Sequence, residues 1–157
     1  MVSATAGRVL TMPTLPELLT NDSKKGAVVE DSCALIDAEV KDKGGISGLA
    51  IKAGYGAVKG IKPGFIKQVV SDLLPEFAGA LDPLYQLAHV EERPVSDYFV
   101  AHSDQVAEAL LTVTDAKAQK AKNGLVKGTY DKLRSSAKKN VEAAVPRLGK
   151  MIEKHAG

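Results

Sequence analysis

The sequence predicts an all-α fold, a single-domain bundle of about six to eight helices, on three observations. Aliphatic residues recur at three- and four-residue intervals along most of the chain. No stretch alternates apolar and polar residues as a half-buried strand does. Helix start and stop chemistry punctuates the chain at intervals that suit helices. With 157 residues, 45% hydrophobic and 25% charged, the chain has the composition of a globular protein able to bury its own core. It has no Trp, four Tyr and three Phe. Ala, Val, Leu and Ile must therefore fill most of the interior.

Residues 1–12 read as a disordered leader, and 13–157 as the helical domain. Thr14 with Glu17 three residues on forms the pattern of a capping box, with Leu15, Leu18 and Leu19 giving the first short apolar face. Asn21-Asp22-Ser23 is turn chemistry. A helix follows over about 24–43, with Val29, Cys33, Ile36 and Val40 on one side and Gly44-Gly45 as the stop. Residues 46–62 are crowded with Gly and Ala, which predicts either a helix pressed against a neighbour or a segment not helical throughout.

Phe65, Ile66, Val69, Val70, Leu73 and Leu74 form the strongest apolar stripe, the expected core helix, with Pro75 expected to end or bend it. Asp82-Pro83 is expected to open a new helix running through His89. After a linker at 91–94 come a short helix near 96–101 and a long one capped by Ser103 and stopped at Asn123-Gly124. Residues 125–155 read as a basic helix or helix pair, with a bend expected at Pro146.

A shift of 75 positions places Ile51, Lys52, Tyr55, Val58 and Lys59 on Val126, Lys127, Tyr130, Leu133 and Arg134. Repeats at 13–80 and 93–155 are one reading of this, since such a unit could hide its apolar faces against its twin. Chance matching of two amphipathic stripes is the other.

The same alignment exposes a motif, Lys-x-x-Tyr-x-x-x-Lys/Arg, at Lys52, Tyr55 and Lys59 and again at Lys127, Tyr130 and Arg134. Offsets of three and seven put the three side chains on one helix face. Two cations beside a phenol suit an anionic group such as phosphate or carboxylate. The alternative is a Tyr ring at the core boundary with flanking cations reaching to water. Tyr55 and Lys59 also have the Tyr-x-x-x-Lys spacing of short-chain dehydrogenases, but the nearby glycines surround the Tyr and no doubly wound sheet is expected. No catalytic residue, metal site or cofactor is assigned: P-loop, Gly-x-Ser-x-Gly and zinc spacings are all missing. His89 with Glu91 and Glu92 reads as the end of a surface helix, and Cys33 as a small buried apolar group.

Net charge is +2, unevenly spread: residues 71–115 sum to −8 and 116–157 to +8. The two blocks are expected to face each other within the fold, with weak nucleic-acid binding through the basic region as the alternative. No run is apolar enough for a membrane span and residues 1–10 do not resemble a secretory signal, so a cytoplasmic location is expected. The function expected from these features is non-catalytic: a helical interaction protein that binds a protein partner or itself. The alternative is a carrier or sensor of a small amphiphilic anion or lipid, with an apolar cavity between the halves.

Overall fold

The computed structural model describes residues 13–157, so the expected leader at 1–12 lies outside the described residues. Among those described there are seven helices and no strand. They are α1 (Leu15–Leu19), α2 (Lys25–Asp42), α3 (Gly45–Lys59), α4 (Phe65–Val90), α5 (Val95–Ala101), α6 (Ser103–Gln119) and α7 (Gly124–Ala156). The all-α, single-domain expectation holds.

The Thr14 capping box forms as the spacing requires: Thr14 accepts from the Glu17 backbone N–H and the Glu17 side chain bonds the Thr14 N–H. Two expected boundaries move. Ser103 is the first residue of α6 rather than its cap. Asn123 closes nothing, because α6 has ended at Gln119; its Oδ1 instead caps the start of α7, accepting from Leu125 and Val126.

The larger correction concerns proline. α4 runs unbroken through Pro75 and Pro83, so Pro75 does not end it and Asp82-Pro83 opens no new helix. α7 runs through Pro146 as a single basic helix, one of the two forms expected for 125–155. Each interior proline removes a backbone bond and costs about 3 kcal/mol. The stripe Val70, Leu74, Ala78, Leu81, Tyr85 and Ala88 continues past both prolines of α4, and burying each large member contributes roughly 1.5–3 kcal/mol. All three prolines face solvent, where the lost bond is least harmful. The deepest burial therefore lies beyond the expected stripe: Phe65, Ile66 and Val69 are half-buried, whereas Leu81, Tyr85 and Ala88 are shut in. Asp82 caps no helix of its own; its Oδ1 accepts from the Leu15 N–H at 2.8 Å and fixes the N-terminus of α1. Glu153 on α7 serves α5 in the same way, accepting from the Ser96 N–H at 2.8 Å.

α1 lies on α4 as α5 lies on α7, and α2 lies on α4 as α6 lies on α7. Crossed contacts of α2 with α7 and of α6 with α4 join the two sets. Where α5 meets α7 the approach is close enough to require glycine: a Cβ on Gly149 would stand 2.7 Å from the Ser96 Cα.

α3 is one continuous helix. Its contact with α7 is close at Gly54, where a Cβ would meet Thr129 at 2.9 Å. Gly56 and Gly60, by contrast, face solvent, so the expectation of a pressed helix holds on one side only. No helix among the described residues is long and apolar enough to cross a membrane.

Candidate functional site

The two tyrosine motifs fall into separate clusters, each built around an aspartate that the motif does not contain. On α3, Tyr55 donates to Asp37 Oδ1 of α2, and Lys59 Nζ stands 3.7 Å from the same oxygen. On α7, Tyr130 donates to Asp115 Oδ1 of α6, and Arg134 grips both Asp115 oxygens at 2.8 and 3.0 Å. Burial first, and then the bonded aspartate, raises each phenol above its ordinary pKa. Arg134 first, and then Tyr130, holds the Asp115 carboxyl below the usual carboxylate range. Phenol and cation in both clusters thus already share a carboxylate, and what they do is latch one helix to another. Lys52 and Lys127 remain exposed beside them. The structure does not gather the six motif residues around one cavity.

A cavity of about 370 Å³ does lie among α1, α2, α4, α6 and α7, within the range of small-molecule sites. Its wall is aliphatic and aromatic, with Leu35, Ile36, Phe77, Leu81, Leu110 and Ile152 among its side chains. Only Ser32 and Thr114 bring hydroxyls to it, and both are engaged. Ser32 Oγ lies 3.5 Å from Met151 Sδ, and Thr114 Oγ1 bonds Tyr130 at 2.7 Å. Water needs two to four polar partners to be held in such a space, and the wall does not supply them.

Two grooves adjoin this cavity. One, of about 540 Å³, runs between α2 and α7 and shares Leu35 and Met151 with it; its rim carries Arg147, Lys150 and Lys154. The other, of about 520 Å³ between α4, α6 and the start of α7, shares Thr114 with it and includes Tyr130. Lys127, Tyr130 and Arg134 line a smaller hollow of about 220 Å³ with Asp115.

The cations of α7 face acids of its neighbours. Lys138 meets Asp104 and Glu108 of α6, Arg134 meets Asp115, Arg147 meets Glu39 and Asp42 of α2, and Lys154 meets Asp31. The acidic block at 71–115 therefore supplies part of the expected neutralisation and α2 supplies the rest. His155 is buried, its Nε2 2.6 Å from Asp31 Oδ2, a pairing the sequence reading did not find. Lys154 first, and then His155, lowers the Asp31 pKa. Cys33 is half-buried against the core, and burial raises its thiol pKa.

Among the described residues, a bundle of seven helices with an aliphatic hollow between paired helices and charge latches around it defines the class of protein. The chain belongs to a family of unknown function, DUF6918, whose model matches residues 15–156. No curated protein and no solved structure matches it.

Proposed function

We propose that this is a non-catalytic binding protein whose central cavity holds the apolar chain of a small molecule. The cavity carries this reading: it is large, its wall is apolar, and its few hydroxyls are engaged within the protein. An apolar occupant would replace the missing contacts along the wall, which water cannot do. In the same reading, 13–80 and 93–155 are two copies of one unit, enclosing the cavity between them. Support comes from the paired helix contacts and from Asp37–Tyr55–Lys59 corresponding to Asp115–Tyr130–Arg134.

Delipidated protein titrated with dodecanol should gain thermal stability, roughly 5–10 °C at a ligand concentration about 100-fold above Kd. Ala78→Leu adds bulk to the cavity wall. It should raise Tm without ligand and abolish the dodecanol shift. Unchanged Tm with ligand in the parent protein, together with a destabilised Ala78→Leu, would mean that the space is not a binding cavity.

A second reading, self-association, draws on the outer face of α3. Ile46 and Leu49 are 89% and 68% exposed there, continuous with exposed Ala50, Ala53 and Ala57. Native mass spectrometry of the protein and of Ile46→Lys tests it: a dimer in the first and a monomer in the second is the expected pair of results. Nucleic-acid binding is the weakest of the three, because the neighbouring acids already pair Arg134, Lys138 and Arg147.

A further inference from the structure

We propose that the occupant of the central cavity is an anionic single-chain amphiphile, with its charged end in the groove between α2 and α7, against Lys150 and Lys154. This rests on the apolar-chain reading and adds the chemistry of the head and its location. The groove and the cavity share Leu35 and Met151, one from α2 and one from α7, so only these two side chains, and no helix backbone, need part for a chain to run from one space into the other. Arg147, Lys150 and Lys154 are spaced by three and four residues, which puts them along one side of α7 flanking Met151. The rest of the groove wall is apolar except for Asp31. A head placed there meets Lys150 and Lys154 with Asp31 beside them, while Arg147 is engaged by Glu39 and Asp42.

The present partners of Lys150 and Lys154 leave room for a ligand, whereas Arg147 is held at both nitrogens by Glu39 and Asp42 and stays with them. Lys150 is 74% exposed and its nearest acid, Glu153, is 3.8 Å away. The other oxygen of Glu153 is committed to the Ser96 N–H of α5. Lys154 is 66% exposed, and an exposed pair such as Lys154–Asp31 is readily exchanged for a ligand carboxylate or phosphate. The opposite groove is a poorer choice. Its Lys117 is paired with Glu76 and Asp72 lies alongside, while beyond Tyr130 the Arg134 guanidinium is held at both nitrogens by Asp115. An anion arriving there would have to displace a bidentate pair.

The test compares dodecanoate, dodecyl phosphate and dodecanol on the delipidated full chain by calorimetry, with inorganic phosphate as a head without a chain. Both anionic chains should bind on the order of tenfold tighter than dodecanol, by a margin that shrinks as salt rises. Phosphate alone should give no measurable binding. Lys150→Glu changes an exposed residue and should erase the anionic preference while leaving dodecanol affinity unchanged. Lys132→Glu, an exposed charge reversal elsewhere on α7, should leave both unchanged. Equal binding of dodecanoate and dodecanol to the parent protein overturns the head-group assignment while the cavity reading survives, as does an anionic preference that persists in Lys150→Glu. Phosphate binding as tightly as dodecyl phosphate overturns it in favour of a free-anion site. If no chain binds at all, the underlying cavity reading fails as well.

Discussion

Two regions of this bundle are built to different standards. Where α1 and α5 lie against the C-terminal halves of α4 and α7, the fully buried side chains gather: Leu15, Tyr85, Phe99, Val145 and Ile152. Where α3 meets the first half of α7, burial nearly stops. Ile51 is the one large apolar side chain of α3 that is buried, and α7 buries nothing before Val145. The first region is held by packing, the second by polar latches. Apolar burial thus stabilises mainly the first region.

Truncation in the packed region should have the largest effect of those considered. Phe99→Ala removes a ring with no solvent exposure and should cost about 3–5 kcal/mol, a fall in Tm of roughly 10 °C, measurable by thermal melting. Ile46→Ala on α3 should change stability by less than about 0.5 kcal/mol. Equal losses at the two positions would erase the distinction between the regions.

Much of this organisation was legible from residue spacing. The capping box at Thr14, the span of α2 and the shared face of each tyrosine motif all follow from local chemistry that tertiary context does not oppose. Pro75 and Pro83 misled because the local rule was outweighed: the buried stripe runs past both, so the helix continues. Asp37 and Asp115 went unnoticed as partners, although each lies on the helix preceding its tyrosine, 18 and 15 residues upstream. That similar separation was a readable signal. The cavity was not readable residue by residue, since it arises where several stripes fail to fill the space between helices, and periodicity records direction without volume.

Glycine offers a finer comparison. A methyl at Gly149 meets the Ser96 backbone at 2.7 Å, and a backbone so placed can move only if α5 shifts. Gly149→Ala should therefore lose about 1–3 kcal/mol. At Gly54 the methyl meets the Thr129 and Leu133 side chains at 2.9 and 3.3 Å, which can rotate away, and alanine improves helix propensity by up to about 1 kcal/mol. Gly54→Ala should come out near neutral in chemical denaturation. A loss at Gly54 as large as at Gly149 would show that α3 is packed as tightly as α5.

The smallest difference lies between the two aspartate latches. Asp115 holds a bidentate Arg134 and the Tyr130 hydroxyl, whereas Asp37 holds Tyr55 and a more distant, half-exposed Lys59. With Asp115 still 37% exposed and partly screened, Asp115→Asn should lower stability by about 1 kcal/mol at pH 7, and Asp37→Asn by a few tenths. The sign with pH follows from the depressed Asp115 pKa. Its contribution is present above the unfolded-state value of about 3.9 and is lost as pH falls through the lower folded value. Urea denaturation of the parent and Asp115→Asn should therefore diverge at neutral pH and converge once acid has protonated the Asp115 carboxyl in the folded state. A gap that persisted in acid would mean the aspartate stabilises the fold by its shape and hydrogen bonding instead of its charge, and Arg134 would then be replaceable by a neutral side chain of similar size.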